Sequence, residues 1–483
     1  MKNKFNFKYF GVAIGFLALM ESCKAPMATV IASKAKEEVP QTYQNQENNS
    51  EQKNSGLIPW KQFFTDADLT NLIEIALKNN QDLMITLQEI EIAKANVLYK
   101  SGSLKPTVSA GGGIGAEKTA RYTSSGAGNA STKMEGDKNI PEPLPDFRFG
   151  LSADWEFDIW HKLRTEKEAA VAHYLSTVEG KNFVLSSLIA EVADNYYELL
   201  ALDNQLDIIQ KYIVLQQKAL EVSKIQKQAT ATTELAVKKF EAELAKSKAA
   251  KFDLNQQITE KENIINSLLG RFPQPIVRNK ENFMKLVPQA VYTGIPNELL
   301  DNRPDIKAAE LELKSAKLDV EAARKEFYPS LHIGATLGLQ AFNPTYLTKI
   351  PESIASNLVG DIAGPLINKT AIQANFKTAD AKQIQALYEY DKTVVNAYLD
   401  VSSLMSKIKN MEGYYKLKAE QSKALDDSNE IAVLLFKNSR ADYLEVLLNQ
   451  RDALDAKMEL VEAKKNQLNA VVDIYKGLGG GWK

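Results

Sequence analysis

The sequence predicts a mainly α-helical protein with a β-barrel contribution, built from two internal repeats with too few strands in one chain to close a barrel. Three observations predict it. The chain repeats its own plan at a period of just over two hundred residues, two segments alternate apolar and polar side chains, and long stretches run without proline and almost without glycine. Composition narrows the class further. A length of 483 residues, a net charge of −2 and 44% apolar residues suit one large folded unit or two moderate ones, and the charge balance argues against nucleic-acid binding. A single cysteine allows no internal disulfide, and the scattered His161, His173 and His332 make no zinc-type cluster, so no metal or other cofactor is expected. Outside the N-terminus no stretch approaches the roughly 20 apolar residues of a membrane helix, so a membrane span must be made of strands.

The elements follow in order. Lys2, Lys4 and Lys8 precede the apolar run FGVAIGFLALM (10–20), and Cys23 follows within three residues, which reads residues 1–22 as an export signal. An ordinary secretory peptide with an incidental cysteine is the alternative. Residues 23–56 are rich in Gln, Asn, Glu, Lys and Ser, with few apolar side chains to offset chain entropy, and read as a tether. From residue 57 the repeats begin, 57–275 and 276–483. At an offset of 223, Asp82 meets Asp305, Ala93 meets Ala316, Lys94 meets Lys317 and Pro106 meets Pro329 without a gap; INSLLG (265–270) meets IYKGLG (474–479) at an offset of 209.

Strand pairs are expected at about 104–159 and 329–366. In FRFGLSADWEFDI (147–159) and LHIGATLGLQA (331–341) alternate residues are apolar, as in a membrane barrel with lipid on one face and water on the other. A half-buried sheet in a soluble protein would alternate identically. The polar stretch 117–146 reads as a long loop, as at an outer surface, and four strands fall short of the roughly eight that closed membrane barrels require, so several copies must share one. Helical hairpins are expected at about 163–269 and 367–476. Ile189, Val192, Tyr196, Leu199, Leu202, Leu206, Ile209 and Ile213 recur in steps of three and four, a coiled-coil-like seam. A helix over 163–228 would be roughly 100 Å long, against about 55 Å for the return arm 233–269, so the short helix 82–101, at roughly 30 Å, is expected to stack end to end on that arm.

Taken together, WKQFFTDADLTNLIEIALKNNQDL (60–83), DWEFDIW (154–160), LLDNRPDIKAAELELKSAKLDVEAARKEFYPSL (299–331), SRADYLEVL (439–447) and LGGGW (478–482) resemble the bacterial outer membrane factors, the TolC-like exit ducts, and among them the NodT-type lipoproteins of resistance-nodulation-division (RND) efflux systems. The resemblance covers residues 57–483. It implies a homotrimer in which three chains make a twelve-stranded outer-membrane barrel continued by a periplasmic α-helical barrel. It also implies a periplasmic membrane-fusion adaptor and an inner-membrane RND-type pump as partners, with a passive conduit and no catalysed reaction. The N-terminus is similar to a bacterial lipoprotein signal, which implies cleavage before Cys23, acylation there and anchoring in outer-membrane lipid; Met20 and Glu21 depart from that pattern while Ser22 fits it.

By the same resemblance the adaptor docks on the hairpin tips, which here fall at Ala229, Thr230, Ala231 and Thr232 and at Ser439, Arg440, Ala441 and Asp442. An ordinary exposed turn is the alternative for each. The resting constriction maps to Leu444, Leu448 and Arg451 in DYLEVLLNQR (442–451). Leu448 stands where relatives often place an aspartate, so closure by an apolar ring replaces closure by carboxylates. Packing of both leucines between neighbouring helices is the competing reading. Metal-ion efflux, type I protein secretion and a lipid-anchored periplasmic scaffold are the other functions the sequence leaves open.

Overall fold

Among the described residues of the computed structural model (25–43, 53–134, 137–364, 369–438 and 440–483), seven long helices and four long strands carry the architecture. The helices are α1 (Ala67–Asn79), α2 (Gln81–Gly102), α3 (Lys162–Gln228), α4 (Glu234–Leu268), α5 (Pro304–Lys325), α6 (Thr370–Lys437) and α7 (Tyr443–Gly477). The strands are β1 (Thr107–Glu117), β2 (Leu144–Phe157), β3 (Ser330–Ala341) and β4 (Ile354–Ala363). The chain folds into two compact units, a first (to residue 31, 92–174 and 312–386) and a second (32–91, 175–311 and 387–483).

In the first unit the strands form one antiparallel sheet in the order β1, β2, β3, β4, which leaves β1 and β4 as open edges. Register fixes which side chains share a face. Phe149 and Leu151 lie opposite Leu339 and Leu337 on the apolar face, whereas Ser109, Ser152, Thr336 and Asn357 form a polar rung on the other. Between that rung and the rung of Arg148 and Gln340 lies a row without bulk: Gly111, Gly150, Gly338 and Ala355. A Cβ on Gly150 would stand 2.6 Å from the Cα of Gly338. The two central strands thus approach closely at this pair, as glycine in a strand interior permits.

Where β2 ends, the carboxylate of Asp158 accepts hydrogen bonds from the backbone N–H groups of Leu163 and Arg164, both at 3.0 Å, and starts α3. His161 takes the left-handed conformation (φ 58°) in that turn. Ala25 and Ala28 pack on a cluster of Val320, Ala323, Phe327 and Phe376 in the same unit.

The second unit holds the main core. Ile189, Val192, Tyr196 and Leu199 of α3, each at most 1% exposed, pack against Trp60, Phe63, Leu69 and Ile73 and against Ile265 and Tyr475. Each such burial contributes roughly 1.5–3 kcal/mol. Farther along the seam Leu206 and Ile213 are only half-buried. The expected end-to-end stacking is present twice, held by side chains at equivalent positions. Asn80 Nδ2 donates to Leu268 O (3.0 Å) where α2 meets the end of α4, and Arg303 Nη1 donates to Gly477 O (3.1 Å) where α5 meets the end of α7. The donors are related by the 223-residue offset and the acceptors by the 209-residue one. At both junctions a glycine with positive φ, Gly270 (63°) and Gly479 (85°), lies where a Cβ would press within 2.5 Å of the backbone of Asn79 or Asn302.

Two expectations are corrected. The stretch 117–146 is not a plain loop: β2 already begins at Leu144, and a helix Ser124–Ser131 and a two-stranded hairpin (Lys133–Met134 with Lys138–Asn139) occupy part of the rest. The helix forms because Thr123 Oγ1 caps Gly126 N at 3.1 Å, and only glycine fits there, since a Cβ would fall 2.1 Å from Ala120 O. Nor are residues 25–43 a loose tether. In the first unit the N–H and Oγ1 of Thr29 donate to Asp380 at 2.8 and 2.6 Å. In the second, Ser33 Oγ donates to Asp391 (2.6 Å), Lys36 pairs with Glu310 (2.8 Å), and Tyr43, 3% exposed, stacks on Tyr398. Polar side chains and one tyrosine offset the ordering that composition alone argued against. The signal segment, Cys23 and residues 44–52 lie outside the described residues.

Candidate functional site

Both hairpin tips belong to the second unit, and a small apolar cluster ties them together just inside the turns. Leu220, Val237, Phe240 and Leu244 of the first hairpin meet Ala432, Phe436, Val446 and Leu447 of the second, and Gln226 Nε2 donates to Phe436 O at 3.3 Å. The first turn closes with Ala231 N donating to Gln226 O (2.8 Å), after Thr230 adopts the left-handed conformation (φ 58°). Thr233 Oγ1 accepts from Ala236 N at 3.3 Å and starts α4. Lys227 hydrogen-bonds the Glu234 carboxylate across the turn and holds it below the usual carboxylate range. Ala229, Thr230 and Ala231 are exposed and Thr232 is half-buried.

In the second turn Arg440 N donates to Leu435 O at 2.9 Å; Arg440 and Asp442 are exposed, and Ala441 packs at the margin of the cluster. Asp442 precedes α7 in extended conformation (φ −79°, ψ 152°), but its side chain makes no cap bond. Ser439 lies outside the described residues.

The three expected constriction residues share one stripe of α7, spaced four and three residues apart. Leu444 and Leu448 are 50% and 40% exposed, whereas Val446, Leu447 and Gln450 on the opposite side are buried in the chain's own packing. Arg451 is also exposed and pairs with its neighbour Asp452, Nε at 3.0 Å and Nη2 at 2.9 Å from Oδ1. The protomer thus leaves two leucines and an arginine outside its core on one helix face.

Several charged groups were not legible in the sequence. Arg278, mostly buried, donates Nη2 to Asp203 Oδ1 at 3.0 Å and Nη1 to Glu262, bracing the inter-repeat segment against α3 and α4. Asp194 on α3 faces Asp473 and Lys476 of α7 and Lys407 of α6, with Glu198 on its own helix. Burial, with the charge of Asp473, pushes its carboxyl up to about 8, and its Oδ1 has no hydrogen-bond partner in the fold. Nothing in the spacing of these acids distinguishes them from the solvated acids on the same helices. Among the described residues no group of His, Cys, Asp and Glu side chains could hold a metal ion, and no helix is long and apolar enough to cross a membrane.

A four-stranded sheet with an exposed apolar face and a polar one, joined in sequence to helical hairpins, fits a strand-built membrane channel with a helical extension. The sequence profile of the outer membrane efflux protein family matches residues 72–271 and 295–480, and the chain belongs to that family. It is 27% identical over 424 residues to the pyoverdine export outer membrane protein OpmQ of Pseudomonas putida KT2440, covering 88% of each chain. It is 23% identical over 427 residues to the cation efflux system protein CusC of Escherichia coli CFT073, again over 88% of each. Among solved structures, the outer-membrane channel OprN superposes with a TM-score of 0.79 at 23% identity, over 95% of this chain and 98% of that one. The open state of the Neisseria gonorrhoeae MtrE channel gives 0.80 at 23% identity, over 95% and 99%. The chain is therefore an efflux channel of the outer membrane with a large periplasmic part.

Proposed function

We propose that three copies of this chain assemble into one passive exit duct, closed at rest at the ring of Leu444 and Leu448. A periplasmic adaptor docks on the two hairpin tips and an inner-membrane RND-type pump drives the cargo; the duct itself catalyses no reaction. Cys23 is the acylated residue of the mature chain.

The observation that carries this reading is the pair of open edges, β1 and β4, on a sheet with an exposed apolar face. Unpaired backbone groups in lipid cost several kcal/mol each, and twelve strands from three chains remove every edge. A second feature supports a lateral neighbour: Ile85, Ile92 and Tyr99 of α2 recur every seven residues and are all exposed. Relatives at 23–27% identity are named for pyoverdine, toluene and cation efflux, which favours a cargo chosen outside the duct.

Detergent-extracted protein should have three times the mass of the processed chain, which is 53.7 kDa before residues 1–22 are removed, and conduct in planar bilayers. In the L444A/L448A double variant, single-channel conductance should rise several-fold, because two apolar layers of the gate are removed. Unchanged conductance assigns both leucines to packing between helices instead. A monodisperse monomer that forms no channel would overturn the whole reading.

A further inference from the structure

At the junction where β2 passes into α3 and α5 passes into β3, the first unit holds a cavity of about 240 Å³. Two of its walls are aromatic. Trp160 and Tyr328 lie with ring centroids 5.1 Å apart, and Trp160 is fixed by donating Nε1 to Pro329 O at 2.7 Å. Its carboxylates already have donors: Glu156 takes Lys162 at 2.6 Å, Asp158 takes two helix N–H groups, and Glu326 takes Asn375 Nδ2 at 2.9 and 3.0 Å.

Lys325 differs from Lys162. Its ammonium donates to Thr165 Oγ1 (2.7 Å) and His161 O (3.4 Å), both neutral acceptors. An ammonium has three protons to donate, so one remains for a ligand oxygen, while the lining as a whole sets Glu156, Asp158 and Glu326 against Lys162 and Lys325 and so suits a zwitterionic headgroup better than an anionic one. The cavity is continuous with the apolar face of β2 through Phe157 and Ile159, which are 44% and 42% exposed. Tryptophan and tyrosine gather at the level of lipid headgroups, where a lysine with a free proton can donate to a lipid phosphate oxygen.

We propose that this cavity is a binding site for one glycerophospholipid, its phosphodiester held by Lys325, its glycerol region against Trp160 and Tyr328, and its acyl chains along Phe157 and Ile159. The site rests on the reading that the sheet lies in a bilayer. It would secure the strand–helix junction at the membrane surface, since the lipid bridges residues from both repeats.

The test uses delipidated trimer in detergent, titrated with dihexanoyl phosphatidylethanolamine or with inorganic phosphate, followed by native mass spectrometry and tryptophan fluorescence. Wild type should bind one lipid per chain, and phosphate at equal concentration should neither bind nor compete. Lys325→Gln should weaken lipid binding about tenfold, while Lys325→Arg retains it. Equal binding by Lys325→Gln and wild type, or displacement of lipid by phosphate alone, would overturn the proposal. Should Lys325→Gln fail to fold, Tyr328→Leu decides by the same comparison, with weakened binding supporting the site and unchanged binding removing it. Conductance measured on the same wild-type sample separates the two readings: a conducting trimer without the lipid site sinks only this inference, and a chain that never inserts sinks the duct.

Discussion

Arg303 and Asp194 lie in the same compact unit and respond to burial in opposite ways. Arg303, 8% exposed, meets Asp305 through two parallel bonds, Nε to Oδ1 at 3.0 Å and Nη2 to Oδ2 at 2.7 Å, while its remaining arm holds Gly477 O. Removing the guanidinium leaves a carboxylate and a helix-end carbonyl without their donor. Arg303→Ala should therefore cost about 3 kcal/mol of stability, and Arg303→Lys should recover less than half, because an ammonium cannot reproduce the planar fork. Thermal unfolding of the detergent-extracted protein reads both. Asp194 has the reverse problem, a buried carboxyl beside Asp473 that Lys407 and Lys476 compensate only in part. Its folded value of about 8 lies above the ordinary 3.8, so the folded state keeps a proton that the unfolded chain releases. The stability this confers is complete below the ordinary value and is lost as pH rises through the folded one. Asp194→Asn should gain little near pH 4 but raise Tm by at least about 3 °C over wild type near pH 9. An equal difference at both pH values would refute the assignment.

At the scale of elements, the strand and helix boundaries were legible because periodicity reports burial directly. The seam from Ile189 to Ile213 and the alternation over 147–157 each had a core or a membrane face to record. What escaped was held by single polar contacts. The helix Ser124–Ser131 depends on one threonine cap and one tight glycine, and residues 25–43 depend on Thr29, Ser33 and Tyr43 finding partners more than three hundred residues away. Hairpin tips and the Leu444/Leu448 stripe were placed by resemblance; their exposure was readable only once Val446 and Leu447 were seen to take the core side. The glycine rung is the clearest case of a feature the sequence displays without explaining. Glycine usually weakens strands, yet Gly150 and Gly338 sit opposite each other where their backbones nearly touch. Gly338→Ala would place its Cβ 2.5 Å from Phe149 O, so it should cost about 1–3 kcal/mol or more and reduce assembled barrel on heat-modifiability gels. Gly334→Ala on the same strand, whose Cβ would meet Asp154 Oδ1 at an ordinary 3.9 Å, should assemble as wild type does.

For the whole molecule the decisive geometry is at the outer edges of the sheet. Strand directions alternate across it, so β4 of one copy and β1 of the next would run antiparallel, the same pairing that joins the strands inside each chain. Closure by neighbours and closure within one chain demand different cross-links. With one cysteine at position 107 and a second scanned over 355–363, oxidation should yield two- and three-chain products at the registers where the edges meet, because a disulfide needs Cα atoms about 5.5 Å apart. As an internal reference, Ala153→Cys with Ala335→Cys, register partners on the two central strands, should link without any gain in mass. If the edge pairs also closed within single chains, the sheet would satisfy its own edges, and the need for a shared barrel would disappear. If they link only between chains, the edge that makes one copy unstable in lipid is what commits three copies to a common pore.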